Sequence, residues 1–147
     1  MNSIKLHVVV LMVAFFAYGE VRAEESEKVR RVRYESELEK EAESTDAKCQ
    51  TKIQTSIDWA SFEADERWEN KSISGYCSNA LSALQRFCEG DKARAHIQKT
   101  VKKLECKAVS SKSDWKLVVK GGVLEWHTTP EATNADDFAR NQLLRAL

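Results

Sequence analysis

Residues 77–106, CSNALSALQRFCEGDKARAHIQKTVKKLEC, decide the fold because they combine two helical patterns with three of the four cysteines. Leucine and phenylalanine at helical spacing predict a first helix over residues 78–87, and Gly90 is typical of the position just after a helix. Asp91 suits the N-cap of a second helix, whose apolar residues again share one face. The stretch therefore predicts an αα-hairpin with a short turn at Gly90.

The four cysteines predict two disulfides, since an even number in a short exported chain usually forms a covalent framework. A helix over residues 78–87 separates Cys77 from Cys88 by about 16 Å, whereas a disulfide needs Cα atoms within about 7 Å. The αα-hairpin instead brings Cys77 beside Cys106, so we predict the pairs Cys77–Cys106 and Cys49–Cys88. No close-spaced cysteine pair favours zinc, and no metal site is predicted.

Residues 1–23 have the pattern of a cleaved secretory signal. An unbroken apolar run, Val8–Tyr18, precedes a predicted cleavage site near Ala23. The run is too short to cross a bilayer as a helix, which needs about 20 residues. We therefore predict a secreted or periplasmic protein in an oxidising compartment, with no transmembrane segment in the mature chain.

The charge balance gives no support for specific nucleic-acid binding or for an anionic membrane as partner, because 23 basic residues match 23 acidic ones. Residues 24–45 mix both signs with few apolar residues, which predicts a charged arm that is either flexible or helical. We expect the apolar stripe of this arm to be too thin to bury a face. Residues 46–147 are long enough for one disulfide-stapled domain.

Strand patterns occupy much of this domain. Residues 52–59 alternate apolar and polar side chains, which predicts a half-buried strand. Residues 106–110, 115–119 and 123–128 predict three more strands, and a closing helix is predicted to begin at Thr133. The expected fold is α+β, with an antiparallel sheet of about four strands packed against the αα-hairpin and the C-terminal helix.

The last two strands are expected to form a hairpin, for which two registers are possible. A turn at residues 120–121 places Lys116 opposite Glu125 and also pairs two tryptophans. A turn at residues 121–122 sets Val118 against Glu125 instead. Because the first register gains a charge pair and an aromatic pair, we predict it. It requires a lysine at a turn position where φ is positive.

No recognisable catalytic motif occurs in the chain. The predicted mature chain has two histidines, His96 and His127, and neither belongs to a metal-binding, nucleophile-elbow or phosphate-loop pattern. We therefore predict no catalytic residue and no cofactor. The alternative is a small secreted hydrolase that uses Asp58, Glu63 and His127.

Aromatic residues form the first candidate binding surface. Trp59, Phe62 and Trp68 lie on the connection between the first strand and the helices, and aromatic side chains are favoured contact anchors. The alternative interpretation is that the three rings only cover the sheet. Both interpretations place the rings beside the first predicted strand.

Lysines on the second predicted helix form the other candidate surface. Lys99, Lys102 and Lys103 are expected to lie on its outer side, where they could dock an anionic polymer such as a polysaccharide. The alternative interpretation is a solvated helix face without a partner.

The run Gly75-Tyr76-Cys77, followed by Cys88, Cys106, a hairpin and residues 134–138 (NADDF), resembles a group of small exported bacterial proteins with no assigned activity. The resemblance covers residues 49–147 and implies a bacterial periplasmic or secreted setting.

The leading functional hypothesis is a non-enzymatic binding module, either an inhibitor or an envelope assembly factor, with a protein or polysaccharide partner. Absence of a catalytic motif and the predicted disulfides favour this hypothesis. The alternatives are the small hydrolase and a structural envelope component that docks through its N-terminal arm.

Overall fold

The computed structural model describes residues 25–147, so the predicted signal and its cleavage near Ala23 lie outside the described residues. The helices are α1 (Glu27–Cys49), α2 (Trp59–Glu63), α3 (Ile73–Phe87), α4 (Asp91–Thr100) and α5 (Ala135–Ala146). The strands are β1 (Gln54–Ile57), β2 (Lys103–Ala108), β3 (Lys116–Lys120) and β4 (Val123–Thr128). The described residues form an α+β fold, and none of their helices is long and apolar enough to cross a membrane.

The four strands form one mixed sheet in the order β1-β2-β4-β3. Strand β2 runs parallel to both β1 and β4, and only β3 and β4 pair antiparallel. The prediction of an antiparallel sheet is therefore wrong. Helices α2, α3 and α4 separate β1 from β2 in sequence, and such a crossover returns the chain to the end where the first strand began, which makes the two strands parallel.

The hairpin between β3 and β4 has the second of the two possible registers, so the predicted register is wrong. Val118 lies opposite Glu125, and Lys116 lies opposite His127. Gly121 and Gly122 both have positive φ, at 57° and 86°. Two glycines meet the conformational need of the turn without the strain that a lysine would bear there, and this outweighs the predicted charge pair.

Helix α1 buries one complete face, although its sequence led us to expect none. Its inward residues recur every three or four positions, as a helical face requires, and they are Tyr34, Leu38, Ala42, Thr45 and Cys49. The Tyr34 hydroxyl donates a hydrogen bond to the Lys71 carbonyl at 3.0 Å. The expectation of too thin a stripe is therefore wrong, because Ala42, Thr45 and Cys49 continue the face that Tyr34 and Leu38 begin.

Both predicted disulfides are confirmed, with Cα–Cα distances of 5.1 Å for Cys49–Cys88 and 5.6 Å for Cys77–Cys106. The αα-hairpin that suggested them is not confirmed. Helix α3 packs mainly against α1 and α5 rather than α4. Cys106 lies in β2 instead of at a helix end. The second bridge therefore ties the central helix to a central strand.

Helices α1, α3 and α5 cover one face of the sheet, where alternate strand residues point into the core. Leu104 and Cys106 of β2 are buried there, as are Leu124 and Trp126 of β4. The Trp126 indole N–H donates to the Tyr76 carbonyl of α3 at 2.9 Å. Because side chains alternate along a strand, the remaining strand residues point to the opposite face of the sheet.

Candidate functional site

Two of the three predicted aromatic anchors belong to the core. Phe62 and Trp68 are only 1% and 2% exposed. Their rings meet edge to face with centroids 4.8 Å apart, and Trp68 makes the same kind of contact with Tyr76 at 4.9 Å. These two rings therefore pack in the core, as the alternative interpretation states, and a partner cannot reach them.

Trp59 is partly exposed but already has partners within the chain. It begins α2 rather than ending β1, and its ring stacks on Tyr34 with centroids 6.4 Å apart. Its indole N–H donates to the Glu35 carboxylate at 2.7 Å, and the Arg31 guanidinium lies 5.7 Å from the ring centroid. These contacts attach α2 to α1, which leaves little of Trp59 to serve as an independent binding anchor.

The three predicted lysines do not share one helix. Helix α4 ends at Thr100, so only Lys99 lies on it. The Lys102 N–H instead donates to the Gly122 carbonyl at 2.8 Å, which starts the pairing of the chain with the hairpin. Lys103 belongs to β2, and its ammonium group lies 2.5 Å from the Glu105 carboxylate. The helix was predicted to be too long, because the valine and lysines at residues 101–103 fit the spacing of its apolar and polar faces.

Lys103 belongs to a different surface, the face of the sheet that points away from the helices. We call this surface the open face. Its side chains come from all four strands and are exposed or half-buried. They are Gln54, Ser56, Lys103, Glu105, Lys107, Lys116, Val118, Lys120, Val123, Glu125 and His127. The surface is polar and contains no aromatic ring other than the imidazole.

The open face carries an excess of positive charge. Each of its two glutamates has a nitrogen-bearing side chain beside it: Glu105 pairs with Lys103, and Glu125 lies 3.4 Å from the His127 imidazole. Its other lysines form no salt bridge with any residue between 25 and 147, and they are Lys107, Lys116 and Lys120. An anionic group could therefore approach these lysines without displacing a carboxylate of residues 25–147.

Strand register aligns three basic groups into a line across the sheet. Lys107 of β2 lies beside His127 of β4, and His127 lies opposite Lys116 of β3. We call these three residues the basic row. Neighbouring strands are about 4.8 Å apart, so the row repeats at that spacing. Sequence reasoning missed it because the alignment depends on the strand order and on the hairpin register.

A shallow depression of about 450 Å³ adjoins the basic row at the β1–β2–β4 part of the open face. Asp58 and His127 both line it, together with Glu125. The third residue of the predicted hydrolase set, Glu63, lies elsewhere, where its carboxylate pairs with Arg31. The structure thus brings together two of the three residues and replaces the third by a different carboxylate.

Two carboxylates away from the open face have altered acidity. Burial raises the pKa of Asp46, while the hydrogen bond that it accepts from the Ile53 N–H at 2.9 Å acts in the opposite direction. Hydrogen bonds from Arg67 lower the pKa of Asp65. Both carboxylates hold the chain in place: Asp46 at the entry to β1, and Asp65 at the turn before α3.

Comparisons with protein-family models, curated proteins and solved structures give no match. Within residues 25–147, no group of histidine, cysteine and acidic side chains is arranged to hold a metal ion. The functional argument therefore depends on the chemistry and geometry of the open face.

Proposed function

We propose that this chain is an exported, non-enzymatic binding module that contacts an anionic partner through its open face. The observation that carries the proposal is the uncovered face of the parallel strands β1, β2 and β4. All-parallel sheets occur almost only with both faces covered, and three of the four strands of this mixed sheet are parallel to one another. Here the helices cover one face, and a partner would cover the other.

The charge of the open face supports a polar, anionic partner. Four lysines of the open face outnumber its two glutamates, and three of those lysines have no salt bridge within the described residues. Opposite potentials across an interface guide association and exclude wrong partners. A partner of net negative charge therefore fits this surface better than an apolar one.

Rigidity of the scaffold supports the same proposal. Cys106 lies in β2, directly between two residues of the open face, and its disulfide to Cys77 anchors the strand to α3. A surface held in place before binding loses little conformational entropy on association. Two disulfides also suit an oxidising compartment. A secreted or periplasmic inhibitor or assembly factor would have these properties.

The test compares two triple variants as baits in extracts of the envelope and of the exported fraction. One variant is K107E/K116E/K120E on the open face; the control is K28E/K40E/K92E on exposed helix positions. We expect the wild type and the control to recover a partner that the first variant does not. Equal recovery by all three baits, with unchanged thermal unfolding, would contradict the proposal.

A small hydrolase is the second candidate, because Asp58, Glu125 and His127 meet at one depression. In such an enzyme, His127 would transfer protons while Glu125 orients the imidazole. Replacement of His127 by alanine should then abolish hydrolysis of any substrate found for the wild type. An activity that survives this replacement would remove the depression as its site.

Docking through α1 is the third candidate, because Val29 and Val32 are more than half exposed on one side of this helix. A structural envelope component could use these valines as a contact for another component. Replacement of both by serine should then release the protein from its assembly. Unchanged assembly would remove this candidate.

A further inference from the structure

We propose that copies of this chain associate head to tail. Lysines at one edge of the sheet in one copy contact glutamates beside the other edge in the next copy. The inference rests on the proposed function and names the anionic surface that the open face contacts. The lysines are Lys116 and Lys120 of β3. The glutamates are Glu35, Glu39 and Glu43 of α1, which we call the acidic line, and all five side chains are exposed.

The two surfaces lie at opposite edges of the sheet. Strand β3 is one edge strand and β1 is the other. Helix α1 packs against β1, and Glu35 and Glu39 line a small depression together with residues 55–57 of that strand. The two edges are three strand spacings of about 4.8 Å apart, so the lysines of one copy do not reach its own acidic line.

The charges on both surfaces are available to a neighbouring molecule. Lys116 and Lys120 form no salt bridge with any residue from 25 to 147. Within the same residues, Glu39 and Glu43 form neither a salt bridge nor a side-chain hydrogen bond. Glutamates four positions apart on a helix repel one another, so the acidic line costs α1 some stability. Opposite charges from another copy would offset this repulsion.

Charge also determines which edges meet. Lysines at an exposed edge normally prevent sheets from joining edge to edge. Two β3 edges would bring lysine against lysine, and two acidic lines would bring glutamate against glutamate, so contacts between like surfaces are repulsive. Only unlike surfaces attract. A pair of copies joined in this way keeps one surface of each kind unoccupied, so association continues beyond the dimer into rings or filaments.

Sedimentation velocity at several protein and salt concentrations tests this inference. At low salt, the average mass of the wild type should rise with protein concentration, because exposed ion pairs are individually weak. At high salt it should fall to the mass of the monomer, because salt screens exposed charges. A wild type that stays monomeric at low salt and high protein concentration would contradict the inference.

Two charge-reversed variants locate the contact. K116E/K120E and E39K/E43K should each remain monomeric, because each variant gives both of its surfaces the same sign. Glu35 is kept in both, since it accepts the Trp59 indole N–H. The matched control K92E/K99E makes the same change of charge as K116E/K120E at exposed positions of α4, and it should associate as the wild type does. Circular dichroism and thermal unfolding check that all variants are folded alike.

An equimolar mixture of the two reversed variants gives the sharpest result. The unchanged acidic line of the first variant fits the unchanged lysines of the second, and the two reversed surfaces fit each other. The mixture should therefore associate although neither variant does so alone. A mixture that stays monomeric, or a control that associates as weakly as K116E/K120E, would show that the inference is wrong.

The bait experiment separates this inference from the proposed function. If the wild type is monomeric under all these conditions while recovery of a partner still depends on the open-face lysines, the anionic partner is a different molecule. The inference then fails and the proposed function stands.

Discussion

The same strands form both faces of the sheet, but packing in the core explains the residues of only one face. On the covered face, Leu124 and Trp126 are fully buried against helices, and packing accounts for them. On the open face, Glu125 and His127 stay partly exposed between these residues, and packing does not account for them. Alternate residues of one strand therefore allow the stability of the core and the chemistry of the open face to be changed separately.

The largest effect is expected on the covered face, at the bridge between α3 and β2. Replacement of Cys77 and Cys106 by alanine removes a cross-link between residues separated by 29 positions. In the chain-entropy model this costs about 3–4 kcal/mol of unfolding free energy. Denaturant unfolding of the oxidised proteins measures it. A loss below about 1 kcal/mol would mean that the helices hold β2 without the cross-link.

Adjacent residues of β4 give the most direct comparison of the two faces. Leu124 points into the core and is 0% exposed, whereas Val123 points to the open face. Leu124→Ala should cost about 2–5 kcal/mol through the lost burial and the cavity. Val123→Ala should cost less than about 1 kcal/mol. Similar losses for both would show that the open face is packed like a core.

The covalent framework could be predicted from the sequence, although part of the reasoning was wrong. The length of α3 alone excludes a Cys77–Cys88 bridge, and this argument does not depend on the rest of the fold. Cys106 meets Cys77 because β2 passes beneath α3, and not because a second helix returns beside the first. The distance along one helix could be calculated from the sequence, whereas the way in which two elements pack together could not.

Strand direction could not be predicted, because local alternation of residues is the same in parallel and antiparallel strands. This is why Lys107 and Lys116 were not identified as candidates, whereas Lys103 was placed on a helix because that helix was predicted to be too long. For α1, in contrast, the signal was present: the spacing of Tyr34, Leu38 and later buried residues follows one helical face. Counting the whole pattern would have predicted the buried face of this helix.

The hairpin turn is the next prediction, since it aligns Lys116 with His127 on the open face. Gly122→Ala places a side chain at φ 86° and should destabilise the protein by about 1–2 kcal/mol. Gly90→Ala is the matched control, because Gly90 has negative φ and free space around its Cβ position. Thermal unfolding measures the stabilities of both variants. If the two are equally stable, the positive φ at residue 122 does not strain an alanine there.

The smallest effect concerns a charge at the covered side, where Asp46 holds the entry to β1. Burial raises its pKa above the ordinary value of 3.8, so the folded protein takes up a proton at higher pH than the unfolded chain. The contribution of Asp46 to stability therefore falls as pH rises from 3.8 through its pKa in the folded state, and then stays level. Asp46→Asn removes this dependence and keeps an oxygen to accept the Ile53 N–H.

Comparison of Asp46→Asn with Asp46→Ala separates the charge of this residue from its hydrogen bond. At neutral pH the asparagine variant should be slightly more stable than the wild type, because it lacks the charge that burial disfavours. The alanine variant should be less stable than the asparagine variant by about 1 kcal/mol or more, because the Ile53 N–H loses its acceptor. Unfolding curves at several pH values test both statements. If the asparagine variant keeps the pH dependence of the wild type, a different carboxylate causes it.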